Sequence, residues 1–503
     1  MNLTRLIRPY FTRIDSRMVS AAADTESSQR RLLRDLTTFA AKTEWGREHG
    51  YADIRSYADY VARVPLNEYE DLRPRVMRMV NGEKNILWPG EVKRFAQSSG
   101  TSGGKSKYIP LTDRSLQRCH YAGSTDVVAH YLSLYPDSRI LNGKAFILGG
   151  SYANEVNPRP GVYVGDLSAS LIDKINPLAN LVRVPSKEIA LMADWEKKLP
   201  RLVEATLRAD VTNLSGVPSW FMTVIRRVME AAGASNLHQV WPNLEVFFHG
   251  GISFEPYRSQ YDSLIDPSRM RYLETYNASE GFFALQDSPD SRAMLLLMDV
   301  DTFYEFIPLS ELSNQHPKAV PAWEVELGRV YALEISSSNG LWRYMLGDTV
   351  RIESRSPLRI TIAGRTKSFI NAFGEEVMVH NTDAALARAC RDTNAEVAEY
   401  TAAPVYAADG SKGRHQWVIA FNQPPADIEQ FADLLDLYLT QENSDYQAKR
   451  AGNIFLDRLT IDVVSRETFE RWLASTGKLG GQRKIPRLSN DRTLVTALLQ
   501  PHP

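Results

Sequence analysis

The chain has 503 residues, 43% of them hydrophobic and 24% charged, which suits two or three domains around a large core rather than one small module. Lys plus Arg (59) against Asp plus Glu (60) leaves a net charge of −1, which excludes a nucleic-acid binder working through bulk charge and gives no support to attraction by an anionic membrane. Two cysteines, Cys119 and Cys390, exclude a disulfide scaffold and a multi-cysteine metal site, and the nine histidines form no His-Glu-x-x-His pair.

The chain opens with Arg5, Arg8, Arg13 and Arg17 against Asp15 alone. Pro9 should interrupt the amphipathic helix that an Arg-rich organelle-targeting segment needs, so we read this stretch as a solvated basic face on a first helix. There is no secretory apolar core, and the longest apolar run, 293–298, is strand-sized, far short of the ~18 residues of a membrane span. A cytoplasmic, reducing location is the expectation. The first ninety residues are helical in texture: 27–42 sets Leu32, Leu33, Leu36, Phe39 and Ala40 at helical spacing. From Lys93 onward, β-rich runs at 145–148, 162–164, 244–248, 272–276, 294–298, 330–335 and 360–362 alternate with helical patterns such as 218–232, which opens on Pro. This is α/β texture with a large mixed or parallel sheet. After a boundary near 364–374, helices at 381–391, 428–439 and 467–474 and strands at 417–421 and 459–464 make a small α+β unit. The predicted domains are 1–364 and 365–503.

Five segments carry candidate chemistry. In the first, residues 98–107 hold four Ser, one Thr, three Gly and two Lys. Glycines let backbone N–H groups approach an anion, hydroxyls add donors and Lys adds charge, so this is a phosphate-binding composition; the plain alternative is a hydrophilic loop. Two near matches fail. A P-loop needs four residues between its first Gly and Gly-Lys, where this chain has three, and both it and the Gly-x-Ser-x-Gly nucleophile elbow need a helix immediately afterwards. Here Tyr108-Ile109-Pro110 follows, which is extended, and the helix waits for a cap at Thr112 or Asp113.

The second segment runs from Tyr276 through Ser279 and Glu280 to Gly281 at the end of an apolar strand, where α/β proteins place ligands. Glu280 could hold Mg²⁺, or simply be an exposed turn residue. The third, Arg343-Tyr344-Met345-Leu346-Gly347-Asp348, places an Asp after a strand and Gly, able to accept two ribose hydroxyls. The fourth is Gly364-Arg365-Thr366-Lys367 at the domain boundary. The fifth, 481–487, is a basic, Gly-flanked run containing Lys484, which by itself reads as a solvated tail.

Taken in order, the five segments resemble the adenylate-forming superfamily. They are most similar to the auxin-responsive Gretchen Hagen family of acyl-acid amido synthetases, whose Ser-Ser-Gly-Thr-(Ser/Thr)-x-Gly-x-x-Lys signature and following Ile-Pro recur at 98–110. Thr43-Glu44-Trp45-Gly46, Val64-Pro65-Leu66, Tyr69-Glu70-Asp71, Gly82-Glu83 and Pro89-Gly90 match as well, so the likeness spans about 30–490. The departures are Asn277-Ala278, Met345-Leu346 in place of Arg-Val, the sequence 370–376, and a missing Lys beyond the hinge. With the shorter chain, they point to a bacterial member using an acid other than jasmonate or indole acetate.

The resemblance implies an adenylate-forming fold, a large N-terminal domain with ATP and acyl pockets, and a smaller mobile C-terminal domain. It implies a cytoplasmic, monomeric ligase that uses ATP and Mg²⁺ to make acyl-AMP and pyrophosphate, then passes the acyl group to an amine, an amino acid by expectation, with no nucleic-acid or membrane partner. By the same likeness Ser98, Ser99, Gly100, Thr101, Ser102, Gly103 and Lys107 (the family lysine, in preference to Lys105) bind phosphate. Glu280 ligates Mg²⁺, Tyr276 stacks on adenine beside Gly250 and Gly251, and Ser279 belongs to the nucleotide motif. Asp348 and Arg365 hold the ribose, and Lys484 serves adenylation. Tyr121, Val164, Val217, Trp220 and Phe221 are acyl-pocket candidates, although aromatics at this spacing are more often plain core. Thioester formation on CoA or a carrier thiol is the competing product. A non-catalytic nucleotide-binding module is disfavoured because every catalytic-type residue is present.

Overall fold

A computed structural model of the chain describes residues 3–98, 107–152, 156, 158–177, 179–251, 254, 257–312, 314, 316–366, 369–370, 375, 377–406, 413–450, 456–475, 485–489 and 491–500. The opening is helical, as its periodicity requires: Leu3–Ala23, Thr25–Ala40, Glu44–Glu48, Tyr57–Arg63 and Tyr69–Val80. Asp24 caps the second helix by accepting from the Ser27 N–H, and Leu32, Leu33, Leu36 and Ala40 face inward. Phe39 does not join them. It is half exposed, stacked on Trp88 at 5.2 Å with the Arg114 guanidinium over it. The first helix also departs from expectation. It runs through Pro9 without a break, and two arginines of its basic face are docked; Arg5 and Arg13 are exposed, as a solvated face predicts. Arg8 donates to the carbonyls of Leu132 and Pro136, and Arg17 pairs with buried Asp126 at 2.7 Å and with Asp299 at 3.0 Å. These partners on and beside helix Ala122–Leu134 supply the tertiary support that offsets the hydrogen bond Pro9 removes.

The chain divides into two compact units. Among the described residues, the first holds the chain up to Thr361 apart from Gly347–Thr349, which are counted with the chain from Ile362 onward in the second. A twelve-stranded mixed sheet organises the first. Arg183–Val184, Lys144–Ile147, Val211–Gly216, Val246–Gly250 and Arg271–Ala278 lie side by side and parallel, with helices such as Trp195–Leu207 and Pro218–Ala232 between them in sequence. At Arg271–Ala278 the chain reverses through a tight hairpin into Gly281–Gln286. The sheet continues through Met294–Leu296, Leu358–Arg365, Tyr344–Arg355, Val330–Ser337, Thr302–Pro308 and Val320–Pro321. A separate three-stranded sheet joins Lys107–Leu111, Arg94–Ser98 and Tyr163–Gly165.

In the second unit Glu396–Tyr406 and Gly413–Gln423 pair antiparallel, and Thr460–Val464 adds parallel to the latter. Alternation along the middle strand fills both faces. Trp417 and Ile419 meet Phe431, Leu435 and Leu439 of helix Ile428–Glu442, whereas Val418 and Ala420 meet Phe469 of helix Arg466–Ser475 and Val495 of helix Thr493–Leu499.

Candidate active site

The first segment opens and closes on paired strands. Arg94–Ser98 and Lys107–Leu111 are antiparallel, and Ser98 and Lys107 are their final registered pair. The proposed phosphate-binding residues Ser99, Gly100, Thr101, Ser102 and Gly103 lie outside the described residues. After the loop comes a strand, then a helix that starts at Asp113 behind a Thr112 cap, which removes the P-loop and nucleophile-elbow alternatives as the sequence argued. Lys107 turns its ammonium toward two rings, 5.7 Å from the centroid of Tyr69 and 5.6 Å from that of Tyr344, and donates to the Tyr344 hydroxyl at 3.1 Å. Tyr69 in turn accepts from the Tyr108 N–H at 2.7 Å, fixing the backbone next to the lysine.

The second segment is the hairpin between Arg271–Ala278 and Gly281–Gln286, with a register shift at Tyr276/Asn277 and Ser279-Glu280 as its turn. An exposed turn carboxylate is not what forms. Glu280 is 6% exposed, its carbonyl accepts from Asn339 Nδ2 at 2.7 Å, and its Oε1 lies 3.4 Å from the donating Tyr344 hydroxyl. Three segments far apart in sequence therefore meet as a chain from Lys107 through Tyr344 to Glu280. Tyr344 was quoted within its motif but given no role. The signal that could have singled it out is its place as the only aromatic in Arg343–Asp348.

The third segment does not follow a strand, as its Gly-Asp pair suggested; it begins one, Tyr344–Arg355. Arg343, just before it, has φ +41°, a left-handed backbone that a branched-out side chain rarely adopts. The surroundings over-determine it. Its N–H donates to Ser336 Oγ at 3.0 Å, and its guanidinium grips both Glu305 oxygens at 3.1 and 3.0 Å and the Val64 carbonyl at 2.9 Å. Glu334 Oε1 lies 3.3 Å from Arg343 Nε, and Tyr57 donates to Glu305 at 2.7 Å. Glu305 and Glu334 have no exposed surface. Burial, then the neighbouring Glu305, push the Glu334 carboxyl well above the usual range, with Arg343 opposing, which favours its neutral form. Burial works against the Arg343 charge, but the two carboxyls raise its pKa above the ordinary guanidinium value.

The strand ends Val246–Gly250 and Arg271–Ala278 are neighbours with Gly250 opposite Thr275, which brings Gly250, Gly251 and Tyr276 to one edge. Gly250 has a structural reason of its own: a Cβ there would fall 2.3 Å from the Thr275 carbonyl oxygen. Gly251 has φ +83°. Tyr276 is buried with its ring 5.0 Å from that of Phe283. His249 is buried too, stacked on Phe254 at 4.3 Å, and burial drops its pKa to about 3. Asp348 and Arg365, the paired ribose candidates, are in contact, Arg365 Nε to Asp348 Oδ1 at 3.1 Å, and the Thr366 N–H closes on the Gly347 carbonyl at 2.9 Å. Lys367 and Lys484 lie outside the described residues.

The acyl candidates do not gather into one group. Val164 is core, and Tyr121 packs at the edge of the same cluster with its hydroxyl on the Leu171 carbonyl at 2.7 Å. Phe221 belongs to a different cluster and has no exposed surface, its ring 5.1 Å from Phe146 and 5.2 Å from Phe247. Val217 and Trp220 are half-buried beside it, Trp220 edge-on to Trp195 at 5.4 Å. Among the described residues no three His, Cys, Asp or Glu side chains form a metal cage. Mg²⁺ does not need one: it commonly takes one or two carboxylates plus substrate phosphates, and Glu280 supplies a single buried carboxylate. No helix among the described residues is long and apolar enough to cross a membrane.

Comparison with known proteins gives a consistent result. Family models match in three pieces: the GH3 family N-terminal domain at residues 15–270, more than half of the chain, the GH3 family central domain at 295–365, and the GH3 family C-terminal domain at 380–493. Indole-3-acetic acid-amido synthetase GH3.3 of Arabidopsis thaliana is 22% identical over 91% of this chain and 88% of its own length. Indole-3-acetic acid-amido synthetase GH3.8 of Oryza sativa subsp. indica is 24% identical over 92% and 88%. Among solved structures, GH3.15 acyl acid amido synthetase superposes with TM-score 0.76 at 18% identity, covering 95% of this chain and 94% of that one. An open conformation of 2-hydroxyisobutyryl-CoA ligase superposes with TM-score 0.55 at 13% identity, covering 93% and 91%.

Proposed function

The chain belongs to the GH3 family, the Gretchen Hagen family its motifs resemble, and from that premise we propose that it is an ATP-dependent ligase that adenylates a carboxylic acid and transfers the acyl group to an amine. The observation that carries this reading is the Lys107–Tyr344–Glu280 chain, in which three of the family's segments converge. Adenylation gives side chains little covalent work. It needs positive charge where the phosphates sit and firm placement of acid and nucleotide. Lys107, at the end of the Ser/Thr/Gly loop, is assigned to the phosphates together with Ser98, Ser99, Gly100, Thr101, Ser102 and Gly103. Glu280 is assigned to Mg²⁺, which when bound screens phosphate charge. Gly250, Gly251, Tyr276 and Ser279 are assigned to the adenine side, their adjacency in the sheet supporting a shared role. Asp348 and Arg365 are assigned to the ribose, a reading supported by their contact with each other. Lys484 is assigned to adenylation on the family motif alone.

We assign an acyl acid as one substrate, the class named in the relatives' activities, and an amino acid as the amine, on the family resemblance. Of the acyl candidates, Tyr121, Val217 and Trp220 retain exposed surface for a substrate, whereas Val164 and Phe221 serve as core. A monomeric, cytoplasmic enzyme is the accompanying reading. Likeness to a CoA ligase at 13% identity speaks only to the fold, so the amide is the product we assign. The test is pyrophosphate release from ATP across a panel of carboxylic acids, with amino acids and CoA supplied in parallel. Acid-dependent release with amide as product supports the assignment, and thioester as the main product replaces it.

A further inference from the structure

We propose that Tyr344 is a positioning residue for adenylation, its hydroxyl linking the cation assigned to phosphate with the carboxylate assigned to metal. The proposal rests on the functional reading above and names a residue that reading does not use. The hydroxyl is engaged on both sides in the correct sense: it accepts from the Lys107 ammonium at 3.1 Å and donates to Glu280 Oε1 at 3.4 Å. An ammonium closing directly on a buried carboxylate would make a strong pair that both groups must break to serve other partners. A neutral phenol between them keeps both oriented while neither charge is spent on the other. The Tyr69 and Tyr344 rings stand beside the ammonium at 5.7 and 5.6 Å, in place of part of its hydration.

For a hydroxyl to set such a distance, its own ring must not move. Tyr344 has no exposed surface and starts a strand. Asn67 clasps the backbone around it: the Asn67 N–H donates to the Arg343 carbonyl at 2.7 Å, the Met345 N–H donates to the Asn67 carbonyl at 2.9 Å, and Asn67 Nδ2 reaches the Trp342 carbonyl at 2.7 Å. The preceding residue is locked by Glu305. A ring held this rigidly gives its hydroxyl a fixed address, which is what supporting residues contribute in an electrostatically organised site.

The experiment is Tyr344→Phe, which keeps the ring and deletes only the hydroxyl. The turnover number for acid-dependent pyrophosphate release should fall ~10- to 100-fold, with KM for ATP within about 3-fold and Tm within about 2 °C of wild type. Combined with Glu280→Gln, the loss should be far from additive, because the two substitutions break one linkage. A wild-type turnover number, a loss explained by Tm, or full additivity would overturn the proposal. Should the wild-type protein release no pyrophosphate with any acid, the functional reading fails and the linkage is read without turnover. Lys107 labelling by acetic anhydride, followed by peptide mass, should then be at least about 3-fold slower in Tyr344→Phe, because the freed ammonium closes on Glu280. An unchanged labelling rate would dismiss the linkage itself.

Discussion

Arg343 and Tyr344 are consecutive and both buried, yet each anchors a different kind of polar group. Around Arg343 the charges are matched internally. One guanidinium meets Glu305 through two hydrogen bonds, Glu334 is shifted toward its neutral form, and Tyr57 and the Val64 carbonyl complete the set. Around Tyr344 a cation and a carboxylate are joined through a neutral hydroxyl. The first arrangement holds a left-handed residue in place and so fixes where strand Tyr344–Arg355 begins. The second occupies the convergence of the family motifs. The lesson is that burial and charge alone do not mark the candidate active site. What separates the two groups is whether the charges are consumed by one another.

That contrast can be broken by substitution. The largest effect should come from Arg343→Met, which strands Glu305 without its partner: we expect about 3–5 kcal/mol of lost stability in denaturant unfolding. Assayed well below its lowered Tm, the variant should lose less pyrophosphate release than either variant that follows, and the reverse ranking would erase the distinction. Next, Lys107→Ala and Glu280→Ala should each reduce acid-dependent pyrophosphate release ~10²–10³-fold while leaving the unfolding midpoint nearly unchanged. A variant that keeps more than about a third of the wild-type rate removes that residue from the site. Four residues along the same strand, Asp348→Ala should raise KM for ATP by a factor equivalent to about 1.5–3 kcal/mol and move KM for the acid much less. Equal shifts in both would argue against a ribose contact.

The smallest effect is expected at Glu334. Its carboxyl is raised in the folded state, so the stability it contributes is complete below the ordinary carboxylate range and is lost progressively as pH rises from that range through the raised value. Glu334→Gln mimics the neutral form. It should not lower stability at neutral pH, in contrast to Glu305→Gln, and should flatten the Tm–pH curve between the ordinary carboxylate range and the raised value. A large loss at neutral pH would mean that Glu334 carries charge in the fold.

Much of this was legible in the sequence where local pattern dominates. The helix at 218–232 and the strand-then-helix order after the Ser/Thr/Gly loop follow from Pro placement and from a capping Thr, and both form as read. The resemblance of the five segments identified the family. What local pattern could not supply is pairing across distance. Tyr344 lies 237 positions from Lys107 and 64 from Glu280, so their linkage exists only once the sheet has formed. The exposed-turn alternative for Glu280 stayed open in the sequence for the same reason, since the residues that cover it, Asn339 and Tyr344, come from distant segments. Pro9 was overruled by Arg8 and Arg17, whose partners are more than a hundred residues away. Phe221 could only be a pocket candidate with core as the commoner alternative, because an aromatic near a helix N-terminus looks the same in sequence whether it meets substrate or, as here, Phe146 and Phe247.

The central claim is that the chain activates a carboxylic acid with ATP and passes it to an amine. The most direct measurement is to incubate wild-type protein with ATP, Mg²⁺ and a panel of carboxylic acids, follow pyrophosphate, and identify the product by mass when amino acids or CoA are added. The account predicts pyrophosphate release that depends on at least one acid, and an amide of that acid with an amino acid. Release independent of any acid, or a thioester formed in preference to an amide, would contradict it.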